Sequence, residues 1–222
     1  YLSATLVHND RNIESMQRVM IPSDCRYMGI KQDKYIQAYS VYYAWNDINK
    51  LHVDSATTMY SHNEYEMAIL KDEERVKAYV KLLIWLVDEG YIQKKKEGQK
   101  LVIFASCVEM CTVLANEIAK AYPTLTCKRY CGTEGDSYDN LLYADIRVTT
   151  LGSGGTGHDI ENLKTTILTV SVDSLQSNIQ TLGRLRKLKD DEPLFYYLSC
   201  TDFVKPMEYD ASKRVVLSKK AK

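Results

Sequence analysis

The chain has 222 residues, against roughly 150 usually allotted to one domain, so one full domain with an added piece or two small domains fit. Lys plus Arg number 29 and Asp plus Glu number 29, a formal charge of zero, whereas a protein holding nucleic acid by bulk electrostatics is basic. Any nucleic-acid contact here must therefore be local. A composition of 45% hydrophobic and 26% charged residues excludes disorder as the main state. The best apolar run, Val80 to Val87, contains Lys81 and is far shorter than the ~20 residues of a membrane span.

The opening YLSATL (Tyr1–Leu6) reads as the end of a buried strand and not as a frayed terminus, so the sequence is expected to begin inside a larger unit. Arg11–Met20 fits a helix and Tyr35–Trp45 an extended, Tyr-rich strand. Ser61–Lys71 and Asp72–Tyr91 fit two helices, the second with Val76, Tyr79, Val80, Leu83, Leu86 and Val87 on one face. The basic stretch from Lys94 to Lys100 reads as a solvated loop.

From about residue 98 the pattern becomes regular. Lys100–Ala105 is a short apolar run of strand type, Ser106 a plausible N-cap, and the following helix runs to Ala121, where Pro123 ends it. Thr126–Cys131 is a strand broken by Gly132, and Ser137–Tyr143 a short polar helix. Asp145–Thr150 is a strand leading into the glycine-rich LGSGGTGHDI. Thr165–Val172 is the next strand, Ser174 caps a helix to about Lys187, and Pro193–Cys200 is the last strand. The tail Ser218–Lys222 is expected to be disordered. Strands alternating with helices, with fully apolar strands such as LVIFA and TILTV, imply an α/β fold whose parallel sheet is covered on both faces.

Six cysteines with no secretory signal read as reduced, intracellular thiols. Cys107/Cys111 and Cys127/Cys131 share a CxxxC spacing that could form half a zinc site. The first pair falls in a predicted helix, the second in a predicted strand, and no His lies nearby in the sequence. His8, His52, His62 and His158 show no metal-ligand spacing, so no metal is expected.

Gly152, Gly154 and Gly157 satisfy GxGxxG after a strand, with Asp173 following the next strand, as a dinucleotide site asks. That site also needs a full helix carrying the pyrophosphate on its N-terminus, and only His158–Lys164 separate Gly157 from the next strand. Further on, Gln180, Gly183, Arg184, Arg186 and Lys187 place several cations beside a glycine on a predicted helix. Arg suits a polyphosphate because its planar fork stays charged and binds bidentately. A solvated basic face is the plain alternative.

Taken in order, YLSATL, LVIFAS, VTTLGSGGTGHDI and QTLGRLRK resemble motifs III, IV, V and VI of the superfamily 2 helicases. The last three belong to that family's C-terminal, second RecA-like domain, and GTGHDIENL is most like the phage UvsW-type and related viral DNA helicases. The resemblance implies a RecA-like (P-loop NTPase-type) parallel sheet with helices on both faces, plus a helical N-terminal elaboration. It implies three parts: residues 1–10 as the trailing end of the first RecA-like domain, 11–98 as a connecting strand and helices, and 99–222 as the core of the second. Ser3, Ala4 and Thr5 would match the triplet coupling the nucleotide and nucleic-acid sites. Ser106, Thr149, Thr150 and Gly152 would approach the nucleic-acid backbone. Gly157, Asp159, Gln180 and Gly183 would face ATP, and Arg184 with Arg186 or Lys187 would serve as catalytic cations. The family pattern QxxGRxxR ends here on Lys187, with Arg186 one residue early.

The activity so implied is ATP-dependent nucleic-acid unwinding, branch migration or annealing. Its partners would be nucleic acid (DNA ahead of RNA) and the chain's own N-terminal RecA-like domain, with no membrane. Its place would be intracellular, in the bacterial host cytoplasm if the source is a phage. ATP and Mg2+ would be bound mainly outside this chain, because no GxxxxGK[ST] loop and no DExH or DEAD box follows an apolar strand in it. By itself the chain is expected to be inert. Three other readings stay open: an NAD-dependent enzyme using Gly152–Gly157, a non-catalytic RecA-like nucleic-acid-binding module, and an RNA helicase.

Overall fold

The structure, a computed structural model, describes residues 11–20, 34–45, 47, 51, 60–134, 136–154, 159–218 and 221–222. Among the described residues six strands carry the fold: β1 (Gln37–Tyr43), β2 (Lys100–Ala105), β3 (Cys127–Tyr130), β4 (Ile146–Thr150), β5 (Leu163–Leu168) and β6 (Leu194–Cys200). They form one sheet in the order β1-β6-β5-β2-β4-β3, every neighbouring pair parallel. The helices are α1 (Arg11–Met20), α2 (His62–Leu70), α3 (Glu73–Val87), α4 (Val108–Ala121), α5 (Tyr138–Tyr143), the single turn α6 (Leu151–Gly154), α7 (Leu175–Leu182) and α8 (Val204–Leu217).

The continuous apolar strands are explained by burial on both faces. Leu101, Ile103 and Ala105 of β2 enter one core with residues of α2, α3 and α4, while Val102 and Phe104 enter a second with Leu182 of α7 and Leu217 of α8. β6 divides in the same way, Leu194, Tyr196, Leu198 and Cys200 to the first core and Phe195 and Tyr197 to the second. Parallel strands sandwiched like this have no polar face to show. Among the described residues no helix is long and apolar enough to cross a membrane.

Helix ends follow ordinary capping chemistry. Asp72 accepts from the N–H groups of Glu74 and Arg75 at the start of α3, and Ser174 from Ser177 N–H at the start of α7. Beyond Val87 the chain widens into a π-turn over Asp88–Ile92. Gly90 sits in that turn where a Cβ would come 2.7 Å from the Tyr196 ring, and its carbonyl accepts from Thr165 Oγ1 at 2.7 Å. A glycine is needed there by close approach.

Four expectations are corrected. Cys107, not Ser106, caps α4, its Sγ accepting from Met110 N–H at 3.4 Å, because the helix begins at Val108 and Cys107 is the extended residue before it (φ −117°, ψ 155°). α7 stops at Leu182 instead of running to Lys187: the chain tightens into turns at Arg184 and Leu185, which brings Leu185 into the second core. β5 starts two residues earlier and ends at Leu168, since Thr169 and Ser171 turn to hydrogen-bond α2 side chains. The tail is packed where it is described. Ala221 is buried, and the Lys222 N–H donates to Ile36 O at 2.8 Å.

α8 brings a buried lysine against the sheet. Lys213 lies with its Nζ 5.0 Å from the Tyr197 ring centroid, and burial pulls its pKa from 10.5 down to about 8 against the pull of Asp210. The unfolded chain therefore binds more protons than the native one above about pH 8, and stability rises with pH through that window. Lys213→Met is expected to raise unfolding free energy by about 1–3 kcal/mol at pH 7 and to remove the slope between pH 8 and 9.5. Urea denaturation at several pH values checks both; a variant less stable than the parent at pH 7 would refute the cost assigned to the ammonium.

Candidate functional site

The residues singled out by sequence fall at the two ends of the sheet. β2 and β4 end side by side, with Ala105 in register with Thr150, and Ser106 and Leu151 follow directly. At this carboxyl end Ser106 and Thr150 are half-buried, Gly152 is exposed, and Thr149 is wholly buried with its hydroxyl on the Thr150 carbonyl at 3.4 Å. Thr150 Oγ1 accepts from Ser153 N–H at 3.2 Å and donates to Ser153 Oγ at 3.1 Å, while Ser153 Oγ donates to Cys131 O at 2.5 Å. That ties α6 to the end of β3. Among the described residues nothing lies within 4 Å of the position a Cβ would take on Gly152.

The same end holds a carboxylate that sequence reasoning missed. Glu66 of α2 is fully buried, and its Oε2 accepts from Ser106 N–H at 2.8 Å and Cys107 N–H at 3.0 Å. Thr169 Oγ1, just past β5, lies 3.1 Å from Oε1 and 2.9 Å from Phe104 O, and shares one proton between them. His62, one turn earlier on α2, takes the Ser171 N–H on Nδ1 at 3.2 Å, which leaves its proton on Nε2, 3.5 Å from Glu66 Oε1. β2 leads through α4 to one side of the sheet and β5 through α7 to the other. The crevice between β2 and β5 is thus the topological switch point, where doubly wound sheets receive ligands. Here the chain's own carboxylate fills it. The only sequence signal was a His and a Glu four residues apart on the face that also carries Tyr65 and Ile69.

At the amino end of the strands, about a six-residue strand length or ~20 Å away, lie the remaining residues. Asp159 precedes β5, and Arg184, Arg186 and Lys187 precede β6. Arg186 Nε stands 3.5 Å from Asp159 Oδ1, and Arg186 also donates to the Gly183 carbonyl. Arg184 is half-buried; burial and the neighbouring Arg186 lower its pKa, while Asp159 raises it. Gln180 lies half-buried on α7 and Gly183 ends that helix, where a Cβ would meet Ile179 O at 3.1 Å. Lys187 is exposed. Asp159, Gly183, Arg184 and Arg186 are therefore brought together although 23 or more residues separate Asp159 from the others. Ser3, Ala4, Thr5, Gly157 and His158 lie outside the described residues.

A cleft of about 540 Å³ also opens at this end, lined by Gln37, Lys94, Lys164, Asp190, Asp191, Glu192 and Leu194. Its floor is an ion pair, Lys164 Nζ to Asp191 Oδ1 at 2.6 Å, with Lys164 also donating to Glu192 O at 2.8 Å. Burial alone would raise Asp191, but hydrogen bonds from Lys164 and Gln99 hold it below the usual carboxylate range. Among the described residues no group of three or more His, Cys, Asp or Glu is disposed to hold a metal ion.

The architecture can be set beside solved structures. The crystal structure of T4 UvsW superposes with a TM-score of 0.55 at 14% identity, over 84% of this chain and 40% of that one. The fold is RecA-like. The C-terminal part of the Fun30 ATPase domain gives a TM-score of 0.44 at 16% identity, over 62% of this chain and 44% of its own. The Pyrococcus furiosus Hef helicase domain gives 0.45 at 18%, over 68% and 32%. The chain thus spans about two fifths of the length of T4 UvsW. No protein-family model matches the sequence, and no curated protein matches it.

Proposed function

We propose that this chain is the second RecA-like domain of an ATP-dependent helicase or translocase acting on nucleic acid, DNA before RNA. The observation that carries the reading is the Asp159–Arg186 ion pair beside Arg184 at one end of the sheet, with Thr150 and Gly152 at the other. The planar, permanently charged forks of Arg184 and Arg186 stand together beside Asp159, and such forks suit a terminal phosphate. The T4 UvsW likeness in fold, and the order of the four sequence motifs, support the assignment.

In this reading ATP and Mg2+ are gripped chiefly by a domain bearing a phosphate loop, since no GxxxxGK[ST] occurs among these 222 residues. Arg184 and Arg186 neutralise charge that develops on the transferring phosphoryl group, and Gln180 and Gly183 shape the turn that presents them. The exposed backbone at Gly152 and the hydroxyls of Thr150 and Ser106 meet the nucleic-acid backbone, a contact that fixes position and carries no sequence information. Closing and opening of the two domains around nucleotide then moves one set of contacts relative to the other.

Arg184→Ala in protein that contains both domains tests this directly. Nucleic-acid-stimulated ATP hydrolysis is expected to be lost while oligonucleotide binding stays within about threefold of the parent. Unchanged turnover would overturn the assignment. The neutral charge further predicts weak binding by this chain alone, with an oligonucleotide Kd above about 1 μM at physiological salt in a fluorescence anisotropy titration.

A further inference from the structure

The two polar side chains buried on α2 reach different strand ends. Glu66 takes the amides of Ser106 and Cys107 in the turn after β2, and its other oxygen meets Thr169 just past β5. His62, four residues earlier, holds the same exit from β5 two residues further on. Its Nδ1 accepts from Ser171 N–H at 3.2 Å and lies 2.8 Å from the Tyr60 hydroxyl. Ser171 Oγ in turn donates to Leu198 O at 3.3 Å, so β6 is tied in as well. Both side chains are core residues, Glu66 at 0% and His62 at 6% exposure. A carboxylate and an imidazole are costly to bury, and a hydrogen-bonded network of this kind fixes one arrangement of the backbone around it.

The segments so held lead to the two ends of the candidate site. Ser106 follows directly on Ala105, the register partner of Thr150, at the carboxyl end of the strands. Ser171 opens the path to the other end. Asn178 of α7, itself buried, donates to Val172 O at 3.2 Å, and Ser174 caps the helix. From there α7 spans about 12 Å to Gly183, after which come Arg184 and Arg186. β2 and β5 pair as far as Phe104 and Leu168, short of both turns. Beyond that point the α2 side chains carry the link from Ser106 to Ser171.

We propose that His62 and Glu66 are positioning residues that hold the Ser106 turn and the entry to α7 as one unit, so that occupancy of the carboxyl end shifts the turn carrying Arg184 and Arg186. Its bearing on nucleic acid and ATP rests on the function proposed above; the mechanical link between the two segments does not. Neither residue touches a reacting group. Losing the pair leaves both contact surfaces in place and removes their alignment, which costs coupling between the sites and not binding at either.

His62→Ala removes the acceptor of Ser171 N–H, and His62→Asn restores one, since the Asn carbonyl oxygen stands about where Nδ1 does. In the 222-residue chain His62→Ala is expected to speed amide hydrogen exchange about tenfold at Ser171, and equally at Ser106 and Cys107, which it does not touch. His62→Asn should return all three most of the way. Faster exchange confined to Ser171 overturns the link, and so does exchange raised evenly across the sheet, the mark of a less stable fold. In protein containing both domains, oligonucleotide stimulation of ATP turnover is expected to fall about tenfold in His62→Ala and in Glu66→Gln. Basal turnover and oligonucleotide Kd should each stay within about threefold of the parent. Unchanged stimulation, basal and stimulated turnover falling together, or no recovery in His62→Asn overturns the proposal. Should His62→Ala fail to fold, Glu66→Gln carries both measurements, with Ser171 as the remote amide. Normal turnover in Arg184→Ala, with exchange at Ser106 still following His62, would count against the helicase reading and leave the link standing.

Discussion

Arg186→Ala, in protein containing both domains, is expected to lower nucleic-acid-stimulated ATP turnover by about 10³-fold, and Lys187→Ala by less than about threefold. The sequence pattern alone left the second catalytic cation open between these neighbours. Because α7 ends at Leu182, neither residue is held in a helical phase, and the turn that follows decides which one faces the site. Arg186 is drawn to Asp159 at 3.5 Å, beside Arg184, and its guanidinium is further held by the Gly183 carbonyl. Lys187 is exposed at the next position. Even where they reach the same phosphate, an ammonium supplies a point charge and a guanidinium a planar fork, so Arg186→Lys should recover only part of the loss. Steady-state turnover at saturating oligonucleotide distinguishes the three variants; equal losses for Arg186→Ala and Lys187→Ala would reverse the assignment.

Glu66→Ala is expected to destabilise the domain by about 3–5 kcal/mol, the larger part from two buried amides left without an acceptor. The carboxylate joins three segments distant in sequence: α2, the β2–α4 turn at Ser106 and Cys107, and Thr169 beyond β5. Glu66→Gln keeps one acceptor oxygen and the side-chain volume, and should cost about half as much. Urea unfolding midpoints check the ranking. Faster hydrogen exchange at Ser106 and Cys107 in Glu66→Gln, with the rest of the sheet unchanged, would show where the loss falls. A Glu66→Ala variant as stable as the parent would mean that water replaces the carboxylate.

How legible the molecule was depended on what its buried faces are made of. β2 could be placed from sequence because burial on both sides makes it apolar from Leu101 to Ala105, and α4 because Cys111, Leu114 and Ile118 repeat at helical spacing. α8 escaped notice for the opposite reason. Its buried stripe is Pro206, Asp210, Lys213 and Leu217, and three of those four are not apolar side chains of the usual core type. Asp210 lies inward because Arg214 one turn on, at 2.9 Å, and the hydroxyls of Ser40 and Tyr42, both at 2.8 Å and some 170 residues away in sequence, satisfy it. Glu66 and His62 hid in the same way on α2. In the candidate site, the glycines and arginines were legible as a linear pattern. The Asp159–Arg186 pairing and the end of α7 at Gly183 were not, since both follow from Leu185 turning into a core assembled from distant strands.

The position of β1 has a kinetic consequence. Among the described strands it comes first in sequence and lies at the edge of the sheet, and its partner there is β6, with Gln37 opposite Leu194 and Tyr43 opposite Cys200. During synthesis β1 therefore waits unpaired until residues 194–200 have emerged, while β2 to β5 can associate without it. Loop closure over so many residues is slow compared with local contacts. A Tyr-rich strand with open hydrogen-bonding groups on both edges is meanwhile available to other chains. Association with β6, clasped at the end by the Lys222 N–H on Ile36 O, closes that interval last. Aggregation of this domain, on a ribosome or on refolding, should thus depend more on when residues 194–222 arrive than on the stability of the central strands.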